Sequence, residues 1–447
     1  MKSPTAWFVF QLPQLNPCVF VIFGSAGYVS DTPNSIETPR FGEAVVSVRG
    51  PEDSNKRAES VDQSILNVGK KKAWELENIA VRAGVLIQAG RGYQSQAGPP
   101  EGPGSEKLIV FQPLGSLSIR QGLNWRHDVQ WAIDIVTAAS PDAIDATTSA
   151  SRENEAGEAV VTSSVKRASM PKKDSQHVWS LSYGFHFEEH WRTGIAGLGF
   201  QQGLFADSTT FSANILGIYD NFDAVRIDGD NDYRKDRGTI AINGSWTQIL
   251  SAVNLASVSY GFTYQAGTLE NTWNSVPIRF LPGQMKPSVT ASVKQYRYPE
   301  VFPDQRERHA VAIQFAQHIP RTRSSIHLGY RYYRDDFGLS AHSGEVKAFQ
   351  YLVPWIFLRG SYRVHTQNGV DFYSARLPSG VELRRAKTSD SDLAPFVSHE
   401  WGARIVLLLS SLTSLRRAPQ IDLAYSRYLR SNNLQIHFFS LGYEQSF

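Results

Sequence analysis

The sequence lacks any uninterrupted apolar run of the roughly 20 residues that a transmembrane helix requires. Hydrophobic residues make up 41% of the 447 residues, and the mean hydropathy is -0.30. This composition excludes a helical membrane protein. A chain of this kind can enter a membrane only as a closed β-barrel, because lipid offers no partner to unpaired backbone groups.

Cysteine and net charge are also scarce. Cys18 is the single cysteine, which excludes an internal disulfide and a thiolate metal cluster. The net charge of +3 is too small to indicate a nucleic-acid partner. The alternating Asp228, Asp230 and Asp232 resemble part of a calcium loop, but Tyr233 follows them and no Glu completes the pattern. We interpret them as an exposed acidic loop and predict neither a metal nor a cofactor.

Aromatic residues are abundant, at 12% of the chain, with 10 Trp, 18 Tyr and 24 Phe. Trp and Tyr are enriched where a protein crosses a membrane interface. Segments of about ten residues alternate strictly, as in "VWSLSYGFHF" and "SVSYGFTYQ", with aromatic residues on one face and Ser, Gly or Thr on the other. This pattern is typical of barrel strands that face lipid on one side and a wetted lumen on the other. The alternative is a soluble β-sandwich.

The N-terminus divides into two segments. Residues 1–27 have Lys2, an apolar run and a small-residue cluster, which is typical of a signal peptide, although Pro13 and Pro17 interrupt the run. Residues 28–77 show little periodicity and are interpreted as an irregular periplasmic segment with a short helix around Lys70 to Ile79. The barrel is then expected over 78–447.

The chain ends in "SLGYEQSF", with an outward row of Phe439, Leu441, Tyr443 and Phe447 in which Gln445 is the departure. We interpret this as the closing strand and as the recognition signal for the barrel assembly machinery.

Strand positions were assigned backwards from this end, with 419–430, 394–410, 353–367, 337–349, 322–335, 307–318 and 253–266 as strands. The long polar segments 267–306 and 368–393 then fall at one end of the barrel, and the short turns 319–321 and 350–352 at the other. The polar segment 139–175 is expected to be an outer loop, which requires an odd number of strands after it. Twelve are recognisable, so a further strand is expected within 205–236. With candidates at 78–91, 108–120 and 125–138, the prediction is sixteen strands, or fourteen as the alternative.

Several segments resemble a bacterial outer-membrane family, the domain of unknown function 3570. They are, in chain order, "IDIVTAASPD" (133–142), "GSWTQILS" (244–251), "YPEVFPDQRERHAV" (298–311) and residues 330–373. The resemblance covers about 105–447. It implies a barrel in the outer membrane of a Gram-negative cell, and it implies no activity.

The alternation also predicts which side chains face the lumen. On three neighbouring strands the inward row forms a basic patch with one acidic member: His327, Arg331, Glu345, Lys347, Arg359, Arg363 and His365. One interpretation is a lumenal field that favours anions in a pore. The other is a network within the wall that stiffens the barrel and selects nothing.

Two functions remain open from the sequence. The first is a porin-like channel for small solutes, which favours anions if the basic patch is exposed. The second is a structural or docking barrel for a periplasmic redox or secretion partner. An enzyme is not predicted, since no nucleophile motif accompanies the available histidines. The expected partners are the lipid bilayer with its lipopolysaccharide and the assembly machinery.

Overall fold

A computed structural model of the protein describes residues 74–90, 107–122, 124–139, 155–168, 176–188, 191–205, 207–225, 231–270, 275–280, 282–284, 297–409 and 419–447. These residues form β-strands and turns, with one short 3-10 turn at Pro320–Thr322. No helix in this part of the chain is long and apolar enough to span a membrane.

Sixteen antiparallel strands close into a barrel, which confirms the predicted number. They are β1 (Trp74–Ala89), β2 (Leu108–Gln121), β3 (Trp125–Ala139), β4 (Glu155–Ala168), β5 (Gln176–Glu188), β6 (Trp191–Leu204), β7 (Thr209–Val225), β8 (Asn231–Ser251), β9 (Asn254–Gly267), β12 (Gln305–Ile319), β13 (Ser324–Asp335), β14 (Ser340–Val353), β15 (Ile356–Gln367), β17 (Phe396–Leu408), β18 (Gln420–Arg430) and β19 (Gln435–Ser446). A separate small sheet contains β10 (Ser275–Arg279), β11 (Arg297–Pro299) and β16 (Leu377–Pro378).

Closure joins the first barrel strand to the last. β1 pairs with β19 over twelve residue pairs, from Asn78 opposite Ser446 to Ala89 opposite Gln435. Both the start of β1 and the C-terminal Phe447 therefore lie at one end, here called the near end. The connections 268–304 and 368–395 leave the opposite or far end, while the turns at 320–323 and 354–355 lie at the near end. This confirms that the two long segments share one end.

The outward rows are apolar and exposed. Leu198, Tyr183, Leu328 and Leu441 are 59%, 50%, 51% and 56% exposed, and similar side chains recur on nearly every strand. A soluble monomer rarely exposes an apolar surface this extensive. Together with the closed ladder of backbone hydrogen bonds, this identifies a transmembrane β-barrel, and the sandwich alternative is wrong.

The structure corrects the position of the missing strand. Residues 139–175 contain β4, and twelve strands follow it, so the strand expected within 205–236 is not there. That region holds β7 and the beginning of β8. The alternation does not predict β4, because its sequence, "EAGEAVVTSSVKRA", has only Val, Ala and Gly among its apolar residues and lies between long polar segments.

Boundaries at the N-terminus and at two turns also differ from the prediction. The barrel begins at Trp74 rather than 78, so the part of the expected helix from Trp74 to Ile79 is β-strand. β14 continues to Val353, and the turn expected at 350–352 lies at 354–355. The predicted signal peptide and most of the 28–77 segment lie outside the described residues, as do Asp228 and Asp230.

The two long far-end connections fold together into a unit here called the mouth cap, which comprises the described residues of 268–304 and 368–395. Its sheet pairs Val276 with Tyr298, and a further bridge joins Val301 to Lys387. Its apolar core is shared with the inward side chains of Tyr333 and Ala341 on the barrel wall. The mouth cap is therefore packed against the lumen side of the far end.

Candidate functional site

The predicted basic patch lies on one face of β13, β14 and β15, and that face is the lumen. Ile326, Leu328 and Tyr330 are exposed outward, so the alternate row of β13 faces inward. In the register, His327 lies opposite Lys347, and Glu345 lies opposite Arg363. The row continues with His365, which lies opposite Ser343 and accepts or donates a hydrogen bond to its hydroxyl at 2.7 Å through Nδ1.

The patch is balanced by two carboxylates rather than one. Lys347 Nζ lies 3.1 Å from Glu345, and Arg363 Nη2 lies 3.4 Å from Glu400 on β17. Arg359 places its guanidinium carbon 5.7 Å from the centre of the Phe349 ring. Glu400 was not among the predicted residues. The signal was present in "FVSHEWGARIVLL", where Glu400 and Arg404 alternate with the exposed Val397, Trp401 and Ile405.

A second charged cluster lies where β17, β18, β19 and β1 meet. Asp422 accepts two hydrogen bonds from Arg82, at 2.8 and 2.7 Å, and one from Arg404 Nε at 2.8 Å. Arg82 also donates to the Ser440 hydroxyl at 3.0 Å. The Asp422 side chain is only 5% exposed. One buried carboxylate thus joins two guanidinium groups from strands on both sides of it.

A third cluster lies at the far end, under the mouth cap. Arg306 forms a buried ion pair with Asp335, which also accepts a hydrogen bond from the Tyr333 hydroxyl at 2.9 Å. Arg308, on the same inward face of β12, donates to the side-chain oxygen of Gln265. These residues hold β9, β12 and β13 together where the cap packs on them.

The wall of β4 to β9 is lined differently. Its inward residues are mainly Ser, Thr, Asn and Gly, and they pair with one another across strands. Ser212 and Ser245 hydroxyls lie 2.7 Å apart, and Asn243 donates to Asn214 at 3.1 Å. Charge appears near the far end, where Arg237 Nε donates to the fully buried Asp220 at 2.8 Å. An apolar strip with Ile195, Leu216 and Ile218 also faces inward.

The mouth cap contains a buried carboxylate of its own. Glu300 is 1% exposed, and its Oε1 accepts hydrogen bonds from the Thr388 hydroxyl and from the Ser389 amide. Its Oε2 has no partner among the described residues. Burial raises the pKa of this carboxyl well above its usual range, and the nearby Asp390 adds to the effect. Glu300 joins the two connections that form the cap, so its protonation state bears on the stability of the far end.

The C-terminal row is outward, as predicted. Phe439, Leu441, Tyr443 and Phe447 are between 44% and 56% exposed, on the closing strand β19. Recognition of this row by assembly machinery stays a prediction.

No group of three or more His, Cys, Asp or Glu side chains suited to a metal ion occurs among the residues whose structure is described.

A family model described as "Protein of unknown function (DUF3570)" matches residues 172–416, more than half of the chain. This is the family whose motifs the sequence resembles. No curated protein matches.

Three solved structures illustrate the likeness to other barrels. A bacterial polysaccharide outer-membrane secretin has 10% identity and a TM-score of 0.39, covering 82% of this chain and 98% of that one. The BenF-like porin from Pseudomonas fluorescens Pf-5 has 9% identity and a TM-score of 0.33, with 83% and 99% covered. OprD from Pseudomonas aeruginosa has 9% identity and a TM-score of 0.38, with 83% and 93% covered. Likenesses this distant say nothing about what this chain transports or binds.

Proposed function

Since the chain belongs to the DUF3570 family, whose description assigns no activity, we propose a function from the barrel itself: a porin-like channel for small hydrophilic solutes in the outer membrane of a Gram-negative cell. The observation that carries the proposal is the lumen lining. Inward rows on all parts of the wall carry hydroxyl, amide or charged groups, and a lumen of this kind holds water and polar solutes. Sixteen strands also enclose enough space for an aqueous channel.

The charge of the lining favours anions. The inward rows of β12–β15, of β17–β19 and of β1 from Asn78 onward contain nine basic and five acidic side chains. The basic groups are Arg82, Arg306, Arg308, Arg331, Lys347, Arg359, Arg363, Arg404 and Arg430, and the acidic groups are Asp335, Glu345, Glu400, Asp422 and Glu444. An excess of one sign in a pore raises the local concentration of counter-ions. The predicted basic patch belongs to this excess.

The mouth cap limits the size of solute. Phe302 and Phe372 of the cap pack edge to face with each other and with Phe337 of the β13–β14 turn, at centroid distances of 5.2 to 5.9 Å. Because the cap core rests on the inward Tyr333, it narrows the far end of the lumen. The channel therefore suits ions and small molecules rather than polymers.

Single-channel conductance in a planar bilayer tests the proposal. Stable steps that are larger with small anions than with large anions, and an anion preference reduced by Arg359→Ser with Arg363→Ser, would support it. Ser180→Ala with Ser182→Ala, on the inward row of β5, is the matched control and leaves the preference unchanged. A folded barrel that stays silent would overturn the channel and favour the second candidate, a docking barrel for a periplasmic partner.

A further inference from the structure

Four tyrosine–histidine pairs repeat on the outward surface of the barrel. In each, a tyrosine hydroxyl lies within hydrogen-bond distance of histidine Nδ1 on the next barrel strand. The pairs are Tyr260–His309 at 2.8 Å, Tyr330–His342 at 2.7 Å, Tyr362–His399 at 2.8 Å and Tyr425–His437 at 2.9 Å. They join β9 to β12, β13 to β14, β15 to β17 and β18 to β19.

The geometry of the pair is the same each time. The histidine lies opposite the residue two positions after the tyrosine, so the hydrogen bond runs diagonally toward the far end. Thus His309 is opposite Phe262, and His342 is opposite Tyr332. The other two pairs follow the same rule, with His399 opposite Val364 and His437 opposite Arg427. The same two-residue offset in all four pairs indicates that one side-chain arrangement repeats around the barrel.

The four pairs also lie at one level. The strands of a barrel are tilted against its axis, so residues that pair across neighbouring strands lie at different heights. From β9 to β19, each paired residue lies about one residue closer to the far end than its partner on the strand before. Tyr330 lies two residues below Tyr332, which is the residue reached from Tyr260 through Val311. The steps from Tyr330 to Tyr362 and from Tyr362 to Tyr425 are the same. From one pair to the next, the tyrosine lies two strands further around the barrel and two residues closer to the near end. This shift offsets the displacement caused by the strand tilt, so the four pairs lie at the same height.

Each neutral pair keeps one hydrogen-bond donor beyond the hydrogen bond that joins its two side chains. A phenol hydroxyl that donates to Nδ1 leaves the imidazole proton on Nε2. Nε2 of these four histidines has no hydrogen-bond partner among the described residues. Three of the imidazoles also pack on a second ring, with centroid distances of 5.2 Å for Phe262–His309, 5.0 Å for Tyr332–His342 and 5.9 Å for His399–Trp401. The donors are therefore oriented before any ligand arrives.

The row lies near the membrane interface of the far end. His342 and His437 are each the third residue of their strands, and those strands start at the far end. Beyond the acyl chains at this depth are lipid headgroups, whose phosphate oxygens are strong hydrogen-bond acceptors. N–H donors on the outward face have no comparable acceptor deeper in the bilayer.

Because the long connections of outer-membrane barrels are extracellular, the far end is the outer one. We propose that the row of four tyrosine–histidine pairs binds the phosphate groups of the glycolipid that forms the outer leaflet. A second copy of the chain is a poorer occupant, because the row extends over eight of the sixteen strands, about half the circumference. The flat contact between two convex barrels cannot reach all four histidines at once, whereas separate lipid headgroups can. The assignment is independent of whether the lumen conducts.

Native mass spectrometry of the purified barrel tests it, with bisphosphorylated lipid A as the probe and dephosphorylated lipid A and phosphatidylglycerol as comparisons. A variant with all four histidines changed to Phe keeps the aromatic surface and loses the donors. A second variant with all four changed to Gln keeps an N–H donor. Retention of lipid A is expected to fall about fivefold or more in the Phe variant and to persist in the Gln variant. A fivefold loss corresponds to about 1 kcal/mol, the usual contribution of one hydrogen bond.

Equal retention by the wild type and the Phe variant would overturn the proposal. So would a change in oligomeric state of the Phe variant, which would assign the row to a second copy, or equal retention of phosphatidylglycerol, which would remove the preference for glycolipid. Heat-modifiable migration confirms that each variant is folded. If the fourfold variant does not fold, His342→Phe with His437→Phe is expected to show about half of the loss.

Discussion

The two halves of the barrel share one backbone architecture and differ in what lines the lumen. β12 to β19 and β1 carry ion pairs, such as Arg363 with Glu400, in their inward rows. β4 to β9 carry mainly hydroxyl and amide groups, such as the paired Ser212 and Ser245. Strand pairing alone therefore does not require charge in the lumen. The charge of the first half is therefore a property of its side chains, and it is the part of the lining to which the proposed channel assigns the preference for anions.

The outer surfaces of the two halves differ as well. Outside the charged half, tyrosine–histidine pairs such as Tyr330–His342 give the wall polar groups near the far end. Outside the other half, β5 exposes Trp179, Phe185 and Phe187, which are 52%, 49% and 55% exposed. A flat apolar surface of this second kind suits contact with acyl chains or with another barrel, and it lacks the oriented donors of the first.

The largest expected effect comes from removing the carboxylate that joins two arginines in the charged half. Asp422→Ala removes the carboxylate that accepts hydrogen bonds from both Arg82 and Arg404. Breaking a buried pair by removing one partner costs about 3–5 kcal/mol, because an uncompensated charge stays buried. We expect a loss of that size in the free energy of unfolding, measured by urea titration of the barrel in lipid vesicles.

Ser426→Ala, on the same inward row of β18, is the control for Asp422→Ala and should lower the free energy of unfolding by less than about 1 kcal/mol. A loss below 1 kcal/mol in the free energy of unfolding for Asp422→Ala itself would show that water reaches this cluster. The charged side chains would then stabilise their half no more than the hydroxyl and amide groups stabilise the other.

Much of the fold could be predicted from the sequence because lipid imposes a strict period of two. Strands with large outward aromatics, such as Tyr183 and Phe185 on β5, are recognisable by eye. β4 was missed because its outward residues are small, and because a loop and a weak strand look alike without the register of their neighbours. The total of sixteen was correct even though the extra strand was placed in the wrong segment.

Less of the candidate site could be predicted, since alternation tells the direction of a side chain but not its partner. The inward position of Arg363 was readable, whereas its pairing with Glu400 depends on a strand that is 37 residues distant in the chain. The mouth cap could not be predicted from the sequence either. Its buried Glu300 meets Thr388 through contacts between two loops that have no periodic pattern.

The second prediction concerns ion preference in the charged half. Glu400→Gln removes the negative partner of Arg363, 3.4 Å away, and keeps the side-chain volume. We expect the anion-to-cation permeability ratio to rise by about two- to threefold, since one more unpaired positive charge strengthens the lumenal field. Reversal potentials in a salt gradient measure the ratio. Ser259→Ala, in the other half, is the control, and an unchanged ratio in Glu400→Gln would indicate that solutes do not pass this part of the wall.

The third prediction concerns the mouth cap, whose apolar core packs on Tyr333 and Ala341 of the charged half. A carboxyl whose pKa is raised in the folded state stabilises the fold at pH values below its unfolded pKa of about 4.3, and this contribution is lost as the pH rises through the folded value. The cap should therefore open more readily at higher pH, because Glu300 then ionises beside Asp390 and Glu270 while the Thr388 and Ser389 hydrogen bonds offset only part of the cost.

Hydrogen exchange of the cap amides as a function of pH measures this opening, after correction for the intrinsic exchange rate. Glu300→Gln mimics the protonated carboxyl and should remove the pH dependence, while Glu382→Gln, on an exposed part of the same loop, should leave it in place. If the dependence persists in Glu300→Gln, another group controls the cap.

The smallest effect is expected in the half whose inward rows carry mainly hydroxyl and amide groups. Ser245→Ala removes the hydroxyl partner of Ser212, 2.7 Å away, between β7 and β8. A neutral, half-buried hydrogen bond contributes about 0.5–1.5 kcal/mol, and the remaining hydroxyl can turn toward lumenal water, so we expect a loss near the lower end of that range. The same urea titration measures it, with Ser212→Ala and the double variant completing a cycle. A coupling energy above about 2 kcal/mol would mean that lumenal water does not reach this pair of hydroxyl groups, and it would contradict the wetted polar wall inferred for this half.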